Sequence, residues 1–160
     1  MADTRAPSSK IEIRTLTVKD VASVRETIGR DDISEAMGRN FQAVGSAIAK
    51  QGAEIAGSPF ARYHSFGDEI DLEAGMPVKS PITADGDVKP SQLPGGSVVL
   101  AVHAGPYESL GMTYDALEAW MTSTHRTPSG PPWEIYLTDP SNEPDPSKWL
   151  TQVIWPIDVS

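Results

Sequence analysis

The side chains whose types and spacing could do chemistry gather in the pentapeptide WEIYL, residues 133–137. Successive residues of a strand point to opposite faces, so Trp133, Ile135 and Leu137 share one face while Glu134 and Tyr136 share the other. The first face is wholly apolar and is expected against helices, which would leave Glu134 and Tyr136 facing an open groove. No Lys, Arg or His accompanies Glu134 in its own strand. A carboxylate withdrawn from water resists ionisation until a cation or hydrogen-bond donors restore its charge. Such a group is a receptor for an organic cation, and a flat cation stacked on tyrosine gains about 0.5–2 kcal/mol per good contact. The same residues could serve hydrolysis, with Glu134 as general base or acid and Tyr136 orienting it. Arg25 and Arg62 could each reach Glu134, and such a pairing would weaken the cation receptor.

Other chemistries find little support. The chain has no cysteine, so thiolate catalysis and Cys-ligated metals are excluded. Its three histidines, His64, His103 and His125, are scattered, without metal-ligand spacing, and no G-x-S-x-G elbow is present. No metal and no cofactor are expected. His64 and His103 read as hydrogen-bonded structural residues. Lys and Arg number 13 against 22 Asp and Glu, for a net charge of −9. That sign repels phosphate backbones and anionic lipid, so neither nucleic acid nor membrane is an expected direct partner. No stretch approaches the roughly 20 apolar residues of a membrane span, and the start lacks a secretory signal. A cytoplasmic protein is expected, with a flexible start over residues 1–9 and a single domain over 10–160.

The elements that must position the pentapeptide come twice. Ile11 to Gly29 reads as one long or bent strand. Ile33, Met37, Phe41, Val44 and Ile48 then recur at helical spacing, with Asp32 and Glu35 suggesting a capping box. FARYHSF and IDLEAGMPV follow as strands. Residues 79–96, rich in proline and glycine, read as a connector. The order then restarts: SVVLAVHAG as a strand, Tyr107, Leu110, Tyr114, Leu117 and Met121 as a helix stripe behind Pro106, then WEIYLTD and LTQVIWPID as strands. DPSNEPDPSK between the last two is a loop.

Residues also align between the halves 10–78 and 97–160. G-S-P-F-A-R-Y at 57–63 lies against G-P-P-W-E-I-Y at 130–136, which matches Ala61 to Glu134 and Tyr63 to Tyr136. Met76-Pro77-Val78 lies against Trp155-Pro156-Ile157, and VASV at 21–24 against VLAV at 99–102, with Arg25 against His103. A duplicated βαββ unit is therefore expected, an α+β fold with one antiparallel sheet, both helices on one face and a ligand groove on the other. Trp155 could line either groove or core. Trp120 reads as partly buried packing, Trp149 as a cover for the last strand's edge, and the acidic run Asp68, Glu69, Asp71 and Glu73 as a solvated edge.

These motifs resemble a family, the GyrI-like small-molecule-binding domains, related to the effector-binding domains of AraC-type and MerR-type multidrug regulators. The resemblance rests on H-x-G-P-Y-E at His103–Glu108, P-P-W-E-I-Y-L at Pro131–Leu137 and T-Q-V-I-W-P at Thr151–Pro156, and covers nearly the whole chain from about Lys10. It implies a duplicated βαββ fold whose pocket takes drug-like, often cationic aromatic compounds. Glu134 matches the pocket glutamate, with Tyr136, Tyr63, Trp155 and Tyr107 as aromatic lining and Ala61 opposite. Because the two repeats occupy the chain, a stand-alone binder is expected rather than a DNA-binding regulator. The resemblance also suggests a hydrolase opening strained, cyclopropane-bearing genotoxins, and a gyrase-modulating interaction protein. Haem-binding relatives make His103 the residue to watch for such a ligand.

Overall fold

A computed structural model of the chain describes residues 10–158, and the expected flexible start at 1–9 lies outside the described residues. These form a mixed α+β fold of eight strands and two α-helices. In chain order they are β1 (Glu12–Leu16), β2 (Lys19–Gly29), α1 (Ile33–Lys50), β3 (Phe60–Phe66), β4 (Glu69–Pro77), β5 (Lys89–Leu93), β6 (Gly96–Ala104), α2 (Leu110–Ser123), β7 (Trp133–Tyr136) and β8 (Leu150–Pro156). They gather into two compact units, residues 16–96 and residues 10–15 with 97–158.

In the first unit the strands run in the order β3-β4-β2-β5, with antiparallel pairing. Helix α1 covers one face, where Val44, Ala47 and Ile48 pack with Ala22, Val24, Val78, Ile82 and Val88. The expected stripe is thus the buried one over its second half, joined by Ala36 and Asn40. The capping box does not form: Asp32 makes no side-chain cap bond, because the 3-10 turn Arg30–Asp32 has already begun the winding.

In the second unit the order is β1-β6-β8-β7. Helix α2 packs through Leu110, Leu117 and Met121 on Val99, Ala101, Val153 and Ile157.

Two expectations about strands are corrected. Ile11–Gly29 is not one strand: it breaks at Thr17–Val18, and β1 lies beside β6 while β2 lies between β4 and β5. The connector 79–96 contains β5, paired with β2 from Lys19↔Leu93 to Ser23↔Lys89. Its Pro90 is tolerated because β5 ends the strand order, where a missing N–H breaks no ladder.

The duplication extends to individual backbone bonds. The bridge Ile55↔Val78 recurs as Pro128↔Ile157. Ala56 N donates to Pro77 O at 2.9 Å and Ser129 N to Pro156 O at 2.9 Å; Ala53 N donates to Ile48 O at 3.1 Å and Arg126 N to Met121 O at 2.8 Å. Both helices end in a left-handed residue, Gly52 (φ 66°) and its counterpart His125 (φ 59°). The aligned glutamate and tyrosine positions also agree, since Ala61↔Ala74 and Tyr63↔Leu72 mirror Glu134↔Val153 and Tyr136↔Thr151. One alignment shifts by a residue. Val21↔Pro77 and Val98↔Pro156 match Val21 to Val98 rather than Val99, so His103 is the counterpart of Glu26, not Arg25. A valine-rich run tolerates such a slip in sequence, whereas the paired proline anchors it in the ladder.

Candidate functional site

Glu134 lies on the opposite face of β7 from the one expected. Residues directly opposite in an antiparallel pair share a face. Glu134 pairs with Val153, which belongs to the cluster beneath α2. The carboxylate and Tyr136 therefore point toward the helix. The reasoning from an apolar face fails because β7 is buried on both sides: Trp133, on the reverse face, is 1% exposed.

Under α2, Glu134 is 4% exposed. Tyr136, two residues along the same face, donates its hydroxyl to Oε1 at 2.7 Å, and Tyr114 from α2 donates to Oε2 at 2.7 Å. Burial pushes the Glu134 pKa up, and the two tyrosine bonds pull against it without cancelling it. Each carboxylate oxygen is thus oriented by a neutral donor, in the short geometry of charge-assisted bonds. Tyr114 was legible only as a core position. Its signal is that it carries a phenolic hydroxyl into the helix stripe between Leu110 and Leu117, at the place where α1 carries Phe41.

Aromatic rings extend from this centre. Tyr107 meets Tyr136 edge-on at 5.7 Å and tilts over Trp149 at 4.9 Å, while Tyr114 meets Trp155 edge-on at 5.8 Å. Trp155 thereby falls on the Glu134 face, packed against the α2 cluster. Trp149 is more than an edge cover: its Nε1 donates to Glu143 O at 2.8 Å, and its own carbonyl accepts from Gly105 N at 2.8 Å. Tyr107 is 38% exposed and carries a raised pKa, from burial first and then from the negative charges of Asp139 and Glu134.

Ala61 and Tyr63 occupy, in the first unit, the places of Glu134 and Tyr136. Ala61 is fully buried, and Tyr63 packs on Phe66 at 5.7 Å. With Phe41 in place of Tyr114 and Met76 in place of Trp155, that unit repeats the geometry without its carboxylate. Arg25 is engaged by Asp71 through two bonds of 2.9 and 2.8 Å, and Arg62 lies directly across from Glu73.

Glu73 corrects the reading of the acidic run as a solvated edge. It is 5% exposed on an interior strand, accepting from Ser23 Oγ at 2.6 Å and contacting His64 Nε2 at 2.8 Å. Burial, the largest influence, raises its pKa, but bonds from Ser23, His64 and Ser91 with the charge of His64 outweigh it, and the net direction is down.

His103 is structural, as expected. It is 2% exposed, with Nδ1 at 2.8 Å from Thr113 Oγ1 and Nε2 at 3.1 Å from Pro106 O and 3.0 Å from Ser109 Oγ. A carbonyl can only accept, which assigns a proton to Nε2. Both nitrogens are thereby committed to the junction that starts α2. Among the described residues no group of three or more His, Cys, Asp or Glu could hold a metal ion, and no helix is long and apolar enough to cross a membrane.

No curated protein matches the sequence. Solved structures do match in fold. The EcmrR C-terminal domain is 20% identical with a TM-score of 0.85, covering 96% of this chain and 100% of its own. A hydrolase from Listeria innocua is 16% identical with a TM-score of 0.69, over 96% of this chain and 94% of its own. SAV2435, solved bound to tetraphenylphosphonium, is 12% identical with a TM-score of 0.62, over 93% of this chain and 94% of its own. The sequence itself matches the GyrI-like small molecule binding domain across residues 9–158. With that match spanning nearly the whole chain, and the duplicated α+β architecture to go with it, this protein belongs to the GyrI-like small-molecule-binding domain family.

Proposed function

We propose that the chain captures hydrophobic, aromatic organic cations at Glu134, with Tyr107, Tyr114, Tyr136, Trp149 and Trp155 supplying aromatic contact. The observation that carries this reading is a carboxylate 4% exposed whose oxygens are held by two neutral hydroxyls. Burial leaves it short of compensating positive charge, and a ligand cation would supply that charge where low polarity strengthens the attraction. SAV2435, of the same fold, is a neighbour seen with a cation of this kind.

Titration of tetraphenylphosphonium into wild type and Glu134→Gln tests it. The isosteric amide should weaken binding at least tenfold, about 1.4 kcal/mol or more. Equal affinity would overturn the reading. Binding should also strengthen as pH rises, by up to tenfold per unit below the Glu134 pKa, because the cation selects the ionised carboxylate and expels its proton. The raised pKa of Glu134 equally favours a second reading, acid–base hydrolysis of a strained electrophile. Chromatography of a cyclopropane-bearing electrophile after incubation separates the two: recovery unchanged supports capture alone, whereas turnover lost in Glu134→Gln supports catalysis.

A further inference from the structure

One buried polar atom on the α2 face has no role in the arrangement above. Thr151 is fully buried, and its Oγ1 finds no hydrogen-bond partner among the described residues. It stands directly across from Tyr136 on one side and His103 on the other, so all three side chains share the face that carries Glu134. The Tyr136 hydroxyl is given to Glu134, and both ring nitrogens of His103 are held by Thr113, Pro106 and Ser109. Next along the strand on that face come Val153 and Trp155, which offer no hydroxyl. Buried polar groups as a rule are bonded, and an unmet one weakens the fold.

The repeat shows that the fold does not need this hydroxyl. In the first unit the same place, across from Tyr63, is held by Leu72, which is equally buried. A leucine suffices to fill it. The second unit instead carries a hydroxyl, in the one unit that also carries the carboxylate.

We infer that the Thr151 hydroxyl is a contact of the ligand site that selects, among organic cations, those carrying a further hydrogen-bonding N–H or O–H group besides the end that faces Glu134. Glu134 and Thr151 are diagonal neighbours on adjacent strands, roughly 7 Å apart. An extended aromatic cation can address both, its charge toward Glu134 and an amine toward Thr151. This rests on the cation-capture reading of Glu134 and narrows its ligand class.

The test compares proflavine, a planar cation with two amino groups, with acridine orange, the same ring system with those amines dimethylated so that they no longer donate. Both are titrated by fluorescence into wild type, Thr151→Val, Thr151→Ser and Glu134→Gln. Thr151→Val should weaken proflavine by about five- to tenfold, the range of one neutral hydrogen bond, while changing acridine orange less than twofold. Thr151→Ser, which keeps the hydroxyl, should restore the discrimination, and Thr151→Val should melt no lower than wild type. Unchanged proflavine affinity, equal loss for both dyes, or a lower melting temperature with no change in selectivity would overturn the inference, the last marking a bound water only. Binding of both dyes to wild type with loss in Glu134→Gln, but no selectivity change in Thr151→Val, would sink this inference alone. Binding of neither dye to wild type would remove the reading of Glu134 and this inference with it.

Discussion

Glu73 in the first unit and Glu134 in the second are 5% and 4% exposed, yet they are buried on opposite faces of their ladders and among different partners. Glu134 faces α2, where the first unit has Ala61. Glu73 faces away from α1, on the side shared by Ser23, Arg25 and Arg62, where the second unit has Leu100, Val102 and Ile135 around Gln152. Glu73 is met by Ser23, Ser91 and an imidazole, with a guanidinium directly across, and its pKa falls. Glu134 is met by two phenols, and its pKa rises. Burial opposes charge in both, so the partners decide the outcome. One duplicated scaffold thus holds an acid whose charge is satisfied internally and an acid that burial holds toward its neutral form.

Moving the acid would break the comparison most severely. Ala61→Glu puts a carboxylate at a fully buried position whose counterpart hydroxyl from α1 is missing, because Phe41 stands where α2 has Tyr114. The expected cost is about 4 kcal/mol, enough to threaten folding. Adding Phe41→Tyr should return roughly 1 kcal/mol or more, with Tyr63 as the second donor. A urea-denaturation double-mutant cycle measures both. If Ala61→Glu costs under about 1 kcal/mol, that position reaches water and the equivalence with Glu134 fails.

The next effect separates the two native acids by pH. Glu73→Gln should cost about 2 kcal/mol at neutral pH, since it removes an acceptor from the Ser23 and His64 contacts. A carboxylate with a depressed folded pKa contributes stability that is present above its unfolded value and lost as pH falls through the folded value. The Glu73→Gln deficit should therefore shrink on the acid side of the ordinary carboxylate pKa. Glu134 works in the other window. Its pKa is raised, so its favourable contribution is complete below the unfolded value and is lost as pH rises toward the folded one. Glu134→Gln should flatten that decline. Stability curves of the two variants that track wild type in parallel across both windows would show that the partners do not set the charge.

Much of this contrast could be read from residue order. Strand alternation put Glu134 and Tyr136 on one face, and the G-x-P-x-x-x-Y match gave Ala61 and Tyr63 as their counterparts, as the ladder registers bear out. Which face that was could not be read, because an apolar strand face signals burial without saying by what. Tyr114 hid among the core positions of a helix stripe, where a hydroxyl and a methyl look alike to periodicity. Glu73 hid in an acidic run, because its burial depends on Ser23, 50 residues earlier, and on a strand bulge between Tyr63 and Ser65 at His64. Short β5 was masked by a proline that only an edge position permits.

The smallest effect lies at the helix ends, where the repeats differ by one side chain. Gly52 ends α1 at φ 66°, at no steric cost, while His125 ends α2 at φ 59° with a Cβ that this region disfavours. His125 is exposed, so replacing it removes little packing. His125→Gly should stabilise by about 0.5–1 kcal/mol, a rise of roughly 1–4 °C in melting temperature, while Gly52→Ala should lose about as much. These opposite signs at equivalent turns are a test of the duplication itself, free of any acid or ligand. If His125→Gly destabilises instead, the imidazole makes a contact of its own, and the two helix ends are not the same device.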